Sequence, residues 1–155
     1  MATIHLNQTT TSTPEQFVAG LTDFGPGRSQ LFGRSADGYL KVHDKGSDRA
    51  DVTEGSGGVW ERLHYDWSDP NRVVLTTTDS NVWGGGSGHT YTFTRQPDGT
   101  TGVDVVVVRE GKNFKGRALG IVLGIVGKRV LGKELAKTVR AIEARNVGAG
   151  AAELA

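Results

Sequence analysis

Apolar and polar residues alternate with period two over most of this chain and switch to steps of three and four near its end. Ile4 and Leu6 alternate with His5 and Asn7, and threonines follow, which predicts a first strand over about residues 3–11. Thr13-Pro14-Glu15-Gln16 then reads as a helix start. Thr13 can cap, proline suits the first helical position, and Gln16 can complete a capping box. Phe17, Val18 and Leu21 supply a short apolar stripe, and Gly25 can end it. Pro26 opens a second short helix through Leu31 and Phe32. Six runs rich in Val, Thr, Tyr and Trp follow: Tyr39–Lys45, Arg49–Glu54, Val59–Trp67, Arg72–Asn81, His89–Arg95 and Val103–Arg109. Gly, Pro, Asn and Asp clusters separate them, and such short connections make antiparallel hairpins.

The stretch GRALGIVLGIVGKRVLGKEL, residues 116–135, admits three readings. A bilayer span needs about 20 apolar residues. Only ten nearly charge-free residues, Ala118–Gly127, precede Lys128 and Arg129, so no transmembrane segment is expected. Gly127–Lys133 matches seven positions of the phosphate-loop pattern, but Glu134 stands where magnesium binding needs Ser or Thr. The loop interior is also bulky, and the upstream strands are antiparallel. A helix fits best. Leu119, Val122, Leu123, Val126, Val130, Leu131, Leu135, Val139 and Ile142 recur at helical steps. Asn113 can cap its start, and Asn146 and Gly148 can close its end. Gly116, Gly120 and Gly124 lie on one strip, at about 1 kcal/mol each against alanine. That strip either touches another backbone or leaves space beside the helix.

A long amphipathic helix must bury its stripe, and the sheet is the large surface available. A strongly twisted sheet of seven strands curls. Curled round one helix, it can enclose a hollow. The faces Leu63/Tyr65/Trp67, Tyr91/Phe93 and Val105/Val107 are expected to point at the helix. The candidate ligand-binding residues are Leu63, Tyr65, Trp67, Leu75, Trp83, His89, Tyr91, Phe93, Val105 and Val107 from the sheet side. Leu119, Val122, Leu123 and Val126 are the candidates from the helix. Tyr and Trp on an inward face suit a pocket that orients a guest, because their polar atoms need partners. Glu61 and Asp79 are further candidates if their faces stay inward to the strand ends, and Trp83 beside the Gly84–Gly88 run reads as a lid.

Composition narrows the chemistry. Net charge is +1, so no global field draws the chain to nucleic acid. The charge is uneven: residues 1–108 hold 8 Lys/Arg against 13 Asp/Glu, and residues 109–155 hold 10 against 4. A solvated helix face explains this better than a nucleic-acid patch. There is no cysteine, which excludes disulfides, thiolate nucleophiles and zinc–thiolate sites and suits the cytoplasm. No secretory signal pattern is visible at the N-terminus. His5, His43, His64 and His89 have no ligand spacing, so no metal and no cofactor is expected. His64 and Asp66 share a strand face and read as a solvated pair, which leaves His89 as the better acid–base candidate. No nucleophile elbow or nucleotide fingerprint is present.

The order strand, two short helices, six strands, long helix resembles the START-like (SRPBCC, helix-grip) superfamily, including its polyketide cyclase/dehydrase group. The resemblance covers about residues 3–146. It rests on the capped Thr13–Gln16 entry, the hairpin series with Asp69-Pro70-Asn71-Arg72, and the helix Gly116–Asn146. The run from Gly127 to Leu135 and on to Ala144-Arg145-Asn146 is similar to small actinobacterial members. The resemblance implies an α+β helix-grip fold, with a curved seven-stranded antiparallel sheet wrapped around a long C-terminal helix and two short helices after the first strand. Residues 1–147 would form one domain and 148–155 a flexible tail. It also implies a cavity for a hydrophobic or amphipathic small molecule such as a lipid, polyketide or isoprenoid. Two alternatives stay open. One is a cyclase or aromatase that uses the same cavity. The other is an interaction module whose basic helix face, Lys128, Arg129, Lys133 and Lys137, meets an acidic partner. Oligomeric state is left undetermined by the sequence.

Overall fold

A computed structural model describes residues 1–28 and 39–154, with side chains through Gly148. The elements are β1 (Ala2–Thr10), α1 (Pro14–Leu21), β2 (Tyr39–Lys45), β3 (Arg49–Ser56), β4 (Val59–Asp66), β5 (Arg72–Ser80), β6 (Gly88–Arg95), β7 (Thr101–Arg109) and α2 (Phe114–Leu154). Strand ends differ from the sequence reading by at most two residues. The second short helix expected over Pro26–Phe32 lies largely outside the described residues.

Thr13 caps α1 as its sequence predicts. Its hydroxyl accepts from the Gln16 N–H at 3.1 Å, and the Gln16 carbonyl oxygen accepts from the Thr13 N–H at 2.9 Å. The seven strands form one curved antiparallel sheet in the order β1-β7-β6-β5-β4-β3-β2. Each strand pairs with its sequence neighbour except β1, which pairs with β7 and returns the chain start to the far side of the hairpin series. The Leu63/Tyr65, Phe93 and Val105/Val107 positions are buried on the concave face. Alternation breaks in β5. Leu63 pairs with Thr77 but Arg62 pairs with Asp79, so Thr78 is an extra residue. Such a bulge reverses the facing of everything beyond it. Ser80 is therefore buried and Asp79 points out to solvent, which corrects the placement of Asp79 on the Leu75/Thr77 face.

Helix α2 runs along β1 and the concave face. Its C-terminal half carries the core: Leu135, Val139 and Ile142 are buried with Phe17, Leu21 and the inner sheet residues. Phe17 meets Phe93 with ring centroids 5.3 Å apart. At the helix start the Asn113 side chain accepts from the Gly116 N–H at 2.9 Å, the expected cap. The glycine strip serves close approach at its beginning and not at its end. A Cβ at Gly116 would collide with the Val82 carbonyl oxygen and Gly111, whereas one at Gly124 would meet nothing within 4 Å. Gly127 seats Ile4. The apolar stripe is buried only in part. Leu123 and Leu131 pack on the core, but Val122, Val126 and Val130 are exposed. The helix also continues to Leu154, past the stop read at Asn146 and Gly148. Alanines at 149, 151 and 152 are strong helix formers and offset the two glycines. Among the described residues, no helix is long and apolar enough to cross a membrane.

Candidate functional site

A cavity of about 320 Å³ lies between the concave sheet and α2. Eight of the ten sheet-side candidates line it: Leu63, Tyr65, Leu75, Trp83, His89, Tyr91, Val105 and Val107. They meet there because alternate residues of β4, β5, β6 and β7 share the inward face. Phe93 does not line the cavity; it is buried in the ring pair with Phe17. Trp67 lies past the end of β4, half-buried against the core. Helix candidates Leu119, Val122, Leu123 and Val126 are not in the wall either. The helix contributes Leu131, Glu134, Leu135 and Thr138, one to three turns further on. Periodicity identifies a helix face, but which turns cross the hollow depends on where the helix docks along β1.

Two buried ion pairs edge the cavity. Glu54 and Glu61 are direct cross-strand partners on β3 and β4, an arrangement that repels unless each charge is neutralised. Arg28 neutralises Glu54 at 2.5 Å and Arg109, at the end of β7, neutralises Glu61 at 2.6 Å. Arg28 is almost fully enclosed. It donates to the backbone oxygens of Leu21 (2.9 Å) and Asp23 (2.8 Å) and to the Tyr65 hydroxyl (2.8 Å), and it lies 4.4 Å from the Phe24 ring centre. Tyr65 in turn donates to Glu54 at 3.0 Å. Burial and the Glu54 carboxylate push the Tyr65 phenol well up, so it stays neutral.

Around Glu61 the second network closes. Thr77 donates to its carboxylate at 2.5 Å. Burial pushes this carboxyl up, but the Arg109 cation, His89 and the hydrogen bonds bring it below its ordinary value, so it is ionised at neutral pH. Arg109 also sits 2.9 Å from His89 Nε2 and packs 5.1 Å from the Trp83 ring. A guanidinium has only donors, so Nε2 accepts and the ring proton is on Nδ1. Burial and the neighbouring Arg109 charge push His89 down to about 3. The imidazole is thus neutral and weakly basic, with one nitrogen already engaged.

Tyr91 differs from Arg28, Tyr65, Glu61, His89 and Arg109, which bond to one another or to neighbouring groups. Its side chain lines the cavity, and among the described residues no protein group hydrogen-bonds its hydroxyl. Burial pushes its phenol up to about 12. Trp83 forms an end wall of the cavity. It is buried, its backbone N–H donates to the Ser80 hydroxyl at 3.1 Å, and its backbone bridges to Gly111. On the outer face, Asp66 is occupied by the N–H and hydroxyl of Ser68, and His64 is exposed, as expected for a solvated pair. The described residues contain no cluster of three or more His, Cys, Asp or Glu able to hold a metal ion.

The sequence reading missed Arg28, Glu54 and Arg109. Each looks like an ordinary surface residue near a strand or helix end. The available signal was Glu54 and Glu61, placed symmetrically about the Gly57-Gly58 turn on inward-facing positions. Two inward carboxylates facing each other require two cations from elsewhere.

Comparison with known proteins places this architecture. No protein-family model matches the sequence, and no curated protein matches it. Solved structures match over nearly the whole chain. A START superfamily protein from Mycobacterium smegmatis aligns with TM-score 0.66 at 12% identity, over 94% of this chain and 97% of its own. The Zhui aromatase/cyclase from Streptomyces sp. R1128 gives TM-score 0.66 at 11% identity, over 92% of each chain. The di-domain aromatase/cyclase StfQ of the steffimycin biosynthetic pathway gives 0.60 at 18%, over 92% of this chain and 45% of its own. The chain has the START-like helix-grip fold, as its element order indicates.

Proposed function

We propose that the chain binds one uncharged, amphipathic small molecule in the cavity between sheet and helix. The observation that carries this is Tyr91, which lines a largely apolar hollow and whose hydroxyl has no hydrogen-bond partner among the described residues. Tyr91 is part-exposed where it lines the hollow, so a guest bearing a carbonyl or hydroxyl can take its hydrogen bond. Leu63, Leu75, Val105, Val107, Leu131 and Leu135 would grip its apolar body. Both buried arginines are already matched to carboxylates, so among the described residues the wall offers no spare positive charge to a carboxylate or phosphate. That disfavours a fatty acid and favours a neutral polyketide- or isoprenoid-like molecule. The helix-grip neighbours with aromatase/cyclase names support the same class of guest.

Titration with the uncharged dye N-phenyl-1-naphthylamine tests this. One dye should bind per chain and be displaced by a neutral hydroxylated polycyclic aromatic, while palmitate displaces it poorly. Tyr91→Phe should weaken the hydroxylated competitor by about tenfold, the worth of one hydrogen bond, and leave the dye unaffected. Failure of the dye to bind, or tighter binding of palmitate, contradicts the reading.

A cyclase-type reaction in the same cavity is the second reading. His89 serves it poorly, with Nε2 engaged and the ring weakly basic. Tyr91 would be the proton donor to a carbonyl. Turnover of an aromatic poly-β-ketone that Tyr91→Phe abolishes without loss of binding would establish it.

A further inference from the structure

We infer that the first half of α2 docks on the surface of an anionic lipid bilayer. This segment is fixed on one side only: Gly116 lies against Val82, Gly120 near Trp83 and Gly127 against Ile4. The opposite side exposes large apolar residues. Phe114 is 89% exposed, Ile125 79%, Ile121 66%, and Val122, Val126 and Val130 roughly half. A soluble protein rarely leaves so many large apolar side chains on one continuous surface. The uncharged stretch Ala118–Gly127 spans about 15 Å at 1.5 Å per residue. Cations bracket it: Lys112, Lys115 and Arg117 before, Lys128, Arg129 and Lys133 after. No acidic residue occurs between Glu110 and Glu134.

That combination fits a rod lying in the plane of a membrane interface. The apolar centre sinks among the acyl chains, and flanking Lys and Arg reach back to anionic headgroups. Each such cation near an anionic surface strengthens binding several-fold. A second copy of this chain fits less well, because two-fold packing would set one cationic segment against another. A nucleic acid would leave the isoleucines and Phe114 unmatched. The inference does not depend on the cavity, since no residue named for docking lines it.

Flotation of the full chain with liposomes decides it. Vesicles of 70% phosphatidylcholine and 30% phosphatidylserine should capture the protein, pure phosphatidylcholine vesicles should not, and 0.5 M salt should weaken capture. Reversing Lys128, Arg129 and Lys133 to glutamate should lower affinity by about a hundredfold. Ile121→Asn/Ile125→Asn, at positions exposed in the fold, should lower it at least tenfold while the melting temperature holds. Leu131→Trp, which fills the cavity, should float like the wild type. Absence of capture by anionic vesicles, or capture indifferent to both sets of changes, overturns the inference. So does concentration-dependent dimerisation that Ile121→Asn/Ile125→Asn abolishes, which would assign the face to a second copy.

Discussion

Replacing Arg109 by methionine keeps much of the side-chain length against Trp83 and removes the charge that holds one end of the cavity together. Three contacts go at once: the 2.6 Å pair with Glu61, the 2.9 Å bond to His89 and the stacking on Trp83. Glu61 retains the Thr77 hydroxyl but becomes a buried carboxylate without a counter-charge. Breaking a buried pair from one side costs about 3–5 kcal/mol. At about 2–4 °C per kcal/mol for a chain of this size, the melting temperature should fall by roughly 10 °C at pH 7. The loss should also depend on pH. In the wild type Glu61 is held below its unfolded value, so its contribution is full above that value and fades as pH falls through the folded one. In the variant, burial without Arg109 raises it instead. The penalty then appears as pH rises through the unfolded value and disappears in acid. Urea denaturation of both proteins from pH 4 to 8 should show the difference shrinking steadily toward pH 4. Arg109→Met/Glu61→Gln should recover most of the stability. A loss below about 1 kcal/mol at pH 7, or one that does not shrink on acidification, would refute the claim that this pair is a buried, mutually dependent unit.

Other consequences can be checked directly. His89 is pushed down to about 3, below an ordinary value of 6.5, so the folded state resists its protonation. Its contribution is therefore complete above pH 6.5 and is lost as pH falls toward 3, by at most about 5 kcal/mol. His89→Gln, which keeps an acceptor for Arg109, should flatten that acid limb in a denaturation series, and an unchanged limb would assign it to other groups. Gly116→Ala should destabilise by roughly 1–3 kcal/mol, because its methyl meets the Val82 carbonyl. Gly124→Ala, with open space around it, should stabilise by up to about 1 kcal/mol. Thermal melts that gave these two glycines the same sign would contradict the asymmetric docking of α2.

Local chemistry made most of the fold legible. The Thr13–Gln16 capping box, period-two runs between Gly/Pro/Asn turns, and the Asn113 cap each act over a few residues, so each can be read from the chain. The inward faces of β4, β6 and β7 followed from the same alternation. What lay beyond reach was set by distant contacts. The extra residue at Thr78 turns Asp79 outward, and nothing in Thr76-Thr77-Thr78 marks which threonine is unpaired. The helix stripe looked uniform from Leu119 to Ile142, yet it is fully buried only in its later turns, because docking on β1 leaves Val122, Val126 and Val130 in solvent. Arg28 and Arg109 reach the cavity edge from outside the strands they neutralise, a relation visible only once the sheet is assembled.

The central claim is that the hollow between sheet and helix accepts a guest. Native mass spectrometry of the protein purified from its own host tests it most directly, with Leu131→Trp, which fills the hollow, run beside the wild type. An excess mass of one neutral small molecule per chain is expected on the wild type and none on the variant. A wild type that carries nothing and stays unliganded in an extract of its host, or a variant that retains the same mass, would contradict it.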